Sequence, residues 1–368
     1  MQIVEFRAGT LRFLEHPPQQ VAEDGFVWIY LDREELPASL PQLQQAASTL
    51  GGSPLLDLHL KDLGNRAHPS RYDYTSVYDL VMFRRLATDQ EVEVELGEQL
   101  VRPDQPLAAF SRIRTRAIGF VVFDRLLITV HPVGCQTPRS FLQRFLGDVL
   151  QSEGVTAVAR TRLPANPADL MLRMINTMVD SYLELRKVLS GQMDQWQQAM
   201  LGTRSRGADW GALMTARNAL HSLEDFCEEQ NDAMQEWLDT QREQPPRISQ
   251  AELDGLLARA RDVVDHIQRV VHHVRRMENG AESAVQIHFS ALGHRTNEIM
   301  RTLTALTAIF LPLNLIAGVF GMNFQFLPLV HRESGFWWTL GSMSLIAVAL
   351  GVVFWRKRYL AAAGRSRG

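Results

Sequence analysis

One C-terminal stretch carries residues whose types and spacing suit the passage of a cation. Asn297, Met300, Thr304, Thr307, Leu311, Asn314 and Gly318 follow one another at steps of three and four. A helix would place all seven on one face. Four of them carry neutral amide or hydroxyl groups, and no carboxylate lies among them. A dehydrated divalent ion wants carboxylates or closely set carbonyls. Mg²⁺ sheds its waters reluctantly, so it can travel with its hydration shell bonded to neutral oxygens. Met300, Leu303 and Leu311 add apolar constrictions of the kind that close by dewetting. The spacing fits a second use equally well, in which the same amides and hydroxyls bond a neighbouring helix. Directly afterwards comes the triplet Gly321-Met322-Asn323, within "AGVFGMNFQFLP" (Ala317–Pro328).

The elements that must position this face are two apolar runs. Leu303–Phe320 reads "LTALTAIFLPLNLIAGVF" and Gly335–Trp355 reads "GFWWTLGSMSLIAVALGVVFW", both without charge. A helix needs about 20 such residues to cross a hydrocarbon core. Two membrane spans are therefore expected, at about 299–320 and 335–355, joined by an outer loop at 321–334. Arg295 and Arg301 precede the first span, Arg356, Lys357 and Arg358 follow the second, and the loop holds Arg332 alone. That bias puts both termini on the cytoplasmic side. Trp337, Trp338 and Trp355 stand where interfacial anchors do. Two helices per chain cannot enclose a pore, so conduction would require a symmetric oligomer.

Upstream, the 368-residue chain divides by character. Residues 1–165 are expected to form a cytosolic α/β domain. Its strands are read in "GFVWIYLD" (Gly25–Asp32), "VYDLVMFRRLAT" (Val77–Thr88) and "AIGFVVFDRLLITVHP" (Ala117–Pro132), the last turning near Asp124-Arg125. Helices are read in "LPQLQQAASTLG" and "SFLQRFLGDVLQ". Residues 166–296 are expected to form a long-helix stalk region. There Met171, Met174, Met178, Tyr182, Leu185, Leu189 and, after one longer step, Trp196 repeat at helical spacing, as do Leu213, Ala216, Leu220, Leu223, Cys227, Gln230, Met234 and Trp237. These predict an antiparallel helix pair. A third helix opens with a Ser249/Glu252 capping box and an apolar period near 3.5. Without proline from Arg247 to Leu311, it is expected to continue through the first span. Residues 297–368 make the membrane domain with its basic cytosolic tail.

With "FGMN" at the outer end of the first of two C-terminal spans, the sequence resembles the CorA family of divalent metal ion transporters. "TNEIMRTLTALTAIFLPLNLIAGVFGMNF" (Thr296–Phe324) is similar to that family's first span almost position for position. The resemblance implies a homopentamer with a cytosolic funnel, in the inner membrane, whose first spans line the pore. It implies Mg²⁺ uptake, with Co²⁺ or Ni²⁺ as further passengers. Gly321, Met322 and Asn323 would form the outer selectivity ring. Asn314, where relatives commonly have threonine, would form a second ring, and Leu303 and Leu311 the hydrophobic gate. Asn297 would stand at the inner mouth. "RDVVDH" (Arg261–His266) resembles the stalk segment bearing a regulatory metal-binding aspartate, which maps to Asp262. Asp89 in "RRLATDQ" is its expected partner across a subunit interface, with Mg²⁺ both carried and regulatory.

The loop departs from the family pattern. Gln325 and Leu329 stand where acids are expected, which leaves Glu333 beside His331 and Arg332. Proton-coupled zinc transport of the related ZntB branch is therefore a second reading, and a non-conducting membrane-anchored scaffold a third. No P-loop, H-E-x-x-H or G-x-S-x-G motif occurs, so neither enzymatic activity nor an organic cofactor is expected. A net charge of −3 gives no global basic field for nucleic acid. Met1–His16 has no basic-then-apolar leader, so the start of the chain is expected in the cytosol. "DLHLKDLGNRAH" (Asp57–His68) mixes acids and imidazoles without metal spacing and reads as solvated surface. Cys135 and Cys227 read as buried, inert thiols.

Overall fold

A computed structural model describes residues 1–7, 10–96, 107–151, 163–201, 210–243, 248–322 and 333–356. The chain divides into two compact units, Met1–Glu282 and Ser283–Gly368.

Unit 1 is built on a seven-stranded sheet of order β2-β1-β3-β7-β6-β5-β4. The strands are β1 (Gln2–Arg7), β2 (Thr10–Leu14), β3 (Gly25–Asp32), β4 (Arg71–Tyr74), β5 (Asp79–Leu86), β6 (Thr115–Val122) and β7 (Leu126–His131). β3 and β7 run parallel, with Val27 opposite Leu126 and Asp32 opposite His131. The other pairings are antiparallel. The three strand readings are met by β3 over its whole length, by β5 trimmed at both ends, and by the β6–β7 hairpin, which begins two residues earlier and ends one sooner. The short strands β1, β2 and β4 lie outside those readings. β2 and β4 join through local hairpins, β2 with β1 and β4 with β5, while β1 also pairs with the more distant β3.

The central strands are buried on both faces, so they read as apolar runs rather than as alternation. One face, with Val27, Ile29, Ile128 and Val130, is covered by α1 (Leu36–Leu50) and α2 (Asp57–Gly64). Gly119 of β6 permits this contact, since a Cβ there would come within 2.2 Å of Leu63 Cδ2. The other face packs against α6 (Pro167–Leu201) and α7 (Trp210–Glu243), which follow α3 (Asp89–Leu96), α4 (Ala108–Ser111) and α5 (Thr137–Gln151). Tyr182 of α6 donates its hydroxyl to the Arg84 carbonyl at 3.0 Å, and Gln230 of α7 donates to the same hydroxyl at 3.1 Å.

One expectation is corrected here. His59 and His68 are buried, not solvated. His59 Nδ1 lies 2.8 Å from the Tyr78 hydroxyl, so α2 turns that imidazole into the core. The acids and lysine around it stay at the surface, which is why the segment's polarity masks it. Both cysteines are buried, and burial pushes the Cys227 thiol up to about 12.

The helix α8 (Gln250–Phe320) is one unbroken element of 71 residues that contributes to both units. Its cap is the expected box: Ser249 Oγ and Glu252 Oε2 are 2.9 Å apart, and the Ser249 N–H donates to the same carboxylate at 3.2 Å. Leu253, Leu256, Ala260, Val263, Ile267, Val270, Val274 and Met277 are all buried. Past Ala281 the burial ceases for most of the helix. In unit 2, α8 is followed by α9 (Glu333–Arg356). Each contains a stretch long and apolar enough to cross a membrane. Ile299, Leu303, Phe310, Leu315, Trp337 and Trp338 expose between 54% and 75% of their surface, far more apolar area than a solvated chain leaves open.

Candidate ion pathway

The proposed pathway residues lie on the unit 2 part of α8. Asn297, Met300, Leu303, Thr304, Thr307, Leu311, Asn314 and Gly318 are all exposed. At about 100° per residue, they occupy an arc of roughly 120°. Thr307, Leu311 and Asn314 flank one surface groove with Leu306 and Phe310. The hydroxyls of this face have a defined polarity. Thr304 Oγ1 donates to the Met300 carbonyl at 2.7 Å, and Thr307 Oγ1 donates to the Leu303 carbonyl at 2.9 Å. Each hydroxyl has thus spent its proton on the backbone and presents lone pairs outward. Waters bound to a cation point their protons outward, so such oxygens can accept from a hydrated ion.

Pro312 lies inside the helix. Its nitrogen carries no proton, so the Ala308 carbonyl loses its usual i+4 donor. Sequence reasoning passed over this residue; a proline within an apolar run was the available signal. The helix closes at Phe320. Gly321 N–H donates to the Ala317 carbonyl at 2.8 Å, and Met322 N–H to the Val319 carbonyl at 3.3 Å. A Cβ on Gly321 would sit 3.0 Å from the Ala317 oxygen, so glycine suits this tight exit. Met322 is exposed. Asn323 and the loop residues Gln325, Leu329, His331 and Arg332 lie outside the described residues. Glu333 is the first residue of α9 rather than part of the loop.

The two aspartates expected to be regulatory, Asp262 and Asp89, belong to unit 1. Asp262 is exposed on α8, with its Oδ1 3.4 Å from His266 Nε2. The other imidazole nitrogen lies 3.6 Å from Asp180 Oδ1 on α6. That separation is too long for a hydrogen bond. His266, quoted within "RDVVDH" but given no role there, therefore stands between two carboxylates from different helices. Asp89 begins α3 and is 86% exposed, 3.5 Å from Arg112 Nη2. Its position is set by a second capping box: the Thr88 N–H donates to Glu91 Oε2 at 2.7 Å, and Arg85 grips both oxygens of Glu91. Burial alone would raise the Glu91 carboxyl, but the bonds from Arg85 and Thr88 outweigh it and hold the group below its usual range. Among the described residues, His221, Glu224 and Glu278 also form a cluster of ligand type, and Arg217 and Arg275 pair with its acids.

A family model described as CorA-like Mg²⁺ transporter protein matches residues 23–358. The chain belongs to this family. The cobalt/magnesium transport protein CorA of Thermotoga maritima is 27% identical over 192 residues, which is 52% of each chain. The magnesium transport protein CorA of Escherichia coli K12 is 22% identical over 205 residues, 55% of this chain and 63% of its own. The chain thus spans between half and two thirds of the length of these CorA relatives. Among solved structures, the complete CorA magnesium transporter of Methanocaldococcus jannaschii superposes with a TM-score of 0.71 at 17% identity, covering 97% of this chain and 98% of its own. The full-length CmaX protein does so with a TM-score of 0.65 at 16% identity, covering 97% of both. At these identities the structural matches speak for the fold, which is CorA-like from end to end.

Proposed function

We propose that this CorA-family chain forms a passive divalent-cation channel, a homopentamer that carries Mg²⁺ with its hydration shell, and Co²⁺ or Ni²⁺ less readily, into the cytoplasm. The observation that carries the reading is the uncharged face of α8, where Thr304 and Thr307 turn acceptor oxygens outward. Repeated around an axis, that face makes rings of neutral acceptors through Asn297, Thr304, Thr307 and Asn314, with Met300, Leu303 and Leu311 as the dewetting gate and Gly318 leaving room. Gly321, Met322 and Asn323 form the outer ring, and Glu333 is the acid left at the outer mouth. The names of the Thermotoga and Escherichia relatives support magnesium, and the former also cobalt. Both termini are cytoplasmic, and the membrane potential supplies about 2.3 kcal/mol per charge per 100 mV.

Gating follows from charge. Asp262 and Asp89 of adjacent subunits repel; internal Mg²⁺ between them neutralises the pair and holds the ring closed. α8 bears both Asp262 and the pore face, so it is the element through which release would act. Proton-coupled zinc transport is the second reading, favoured only by the scarcity of acids around residues 324–334. Flux of Mg²⁺ and of Zn²⁺ into liposomes, each with and without a pH gradient, tests both. Mg²⁺ entry without a gradient, abolished by Asn323→Ala in an intact oligomer, is expected. Zn²⁺ entry that requires the gradient would replace the reading, and no flux of either ion would leave an anchor.

A further inference from the structure

A cleft of about 660 Å³ opens in unit 1, apart from the ion pathway. It lies at the carboxyl ends of the parallel strands β3 and β7, the place where open α/β sheets gather ligands. Arg33 follows β3, and Pro132, Val133 and Gly134 lead from β7 toward α5. The Gln136 carbonyl accepts the Ser140 N–H at 2.9 Å. The amino end of this 15-residue helix, with first-turn N–H groups that lack intrahelical acceptors, therefore borders the cleft.

Positive charge dominates the walls. Arg33, Arg66, Arg84 and Arg116 line the cleft against Glu34 and Glu91. Both acids are already engaged, Glu34 with Arg66 at 2.8 Å and Glu91 with the buried Arg85. Arg33 is buried, with 7% of its surface exposed, yet its bonds go to neutral oxygens. Its Nε donates to the Leu63 carbonyl at 2.9 Å and its Nη2 to the Ala117 carbonyl at 2.6 Å. Arg84 likewise donates to Thr115 Oγ1 and the His68 carbonyl, both at 2.9 Å. Burial lowers both guanidinium groups from their usual range, and the charges of Arg66 and Arg84 press Arg33 further. Glu229 offsets part of the Arg84 charge, whereas the charges that act on Arg33 are themselves positive. A buried cation so placed is unfavourable, and an anion in the cleft would relieve it.

We propose that this cleft binds a small molecule bearing a di- or triphosphate group, held by Arg33, Arg66, Arg84 and Arg116 and by the amino end of α5. Several guanidinium groups around one opening hold more charge than orthophosphate can balance, and Arg forks match phosphate oxygens in pairs. The cleft is of ordinary size for such a ligand. Thr88, Gln90 and Glu91 also line it, so an occupant would grip the segment that carries Asp89. Binding itself does not depend on ion conduction or gating.

The test is calorimetric titration of the full-length protein in detergent, in metal-free buffer, with pyrophosphate, ATP and orthophosphate. Pyrophosphate and ATP are expected to bind at least tenfold more tightly than orthophosphate, and more weakly at high salt. Equal affinity for the two would mean that the phosphates alone are read; tighter ATP binding would mean that the nucleoside is read too. Arg66→Ala, at the exposed rim, and Arg116→Gln should each weaken binding roughly tenfold or more. Arg33→Gln should abolish it, but its bonds to Leu63 and Ala117 also serve the fold, so the rim variants decide. No heat with any phosphate from a monodisperse sample, or unchanged affinity in both rim variants, would overturn the proposal.

Discussion

His266 Nε2 lies 3.4 Å from Oδ1 of Asp262, one helical turn earlier on α8. The imidazole faces Asp180 of α6 with its other nitrogen, so the stalk aspartate sits beside a side chain that stands between the two helices. The Asp262 side chain is nevertheless 59% exposed.

If internal Mg²⁺ acts at Asp262, a lysine there supplies the positive charge permanently. Asp262→Lys should make flux into liposomes insensitive to internal Mg²⁺. His266→Ala keeps the carboxylate and should keep the dependence. An unaltered Mg²⁺ response in Asp262→Lys would remove Asp262 from gating.

The acceptor rings predict a different pattern. Thr307→Val retains shape but deletes the oxygen, and Asn314→Ala deletes the amide. With one lost hydrogen bond per subunit, Mg²⁺ flux should fall roughly tenfold or more in each. Dye-reported uptake, with oligomer size checked by light scattering, measures this. Flux equal to that of the parent protein would assign the polar face to helix packing.

Glu91→Ala should be costly because it strands Arg85, whose side chain is 5% exposed. Removing one partner of such a pair costs about 3–5 kcal/mol. A fall on the order of 10 °C in the unfolding midpoint of unit 1 is expected from scanning calorimetry of the full chain. A midpoint lowered by less than a degree would show that water reaches Arg85.

His131 gives stability a pH dependence. Burial, with the charges of Arg85 and Arg33, pushes its imidazole down to about 3. The Thr129 hydroxyl accepts from Trp28 Nε1 at 2.9 Å and lies 2.8 Å from His131 Nε2, an arrangement that suits a neutral ring. Between about pH 6.5 and about pH 3 the unfolded chain takes up a proton that the folded chain does not. This contribution is whole above about pH 6.5 and is lost as pH falls, at up to about 1.4 kcal/mol per unit. Melting of the full chain across that window should show the slope, and His131→Gln should flatten it. Parallel curves for the two proteins would assign the slope elsewhere.

Features carried by repetition or by local capping were determined by the sequence alone. The apolar period from Leu253 to Met277, the Ser249/Glu252 box, the two apolar runs and the polar face from Asn297 to Gly318 each depend on residues a few positions apart. Helix geometry converts such spacing directly into faces. Only tertiary structure decided that β1 joins β3, that His59 turns inward, that His266 stands between Asp180 and Asp262, and that Arg33 beyond β3 meets Arg84 of β5 and Arg116 of β6 in one cleft. Each of those depends on chain segments brought together by packing, and residue spacing holds no record of distance across a sheet.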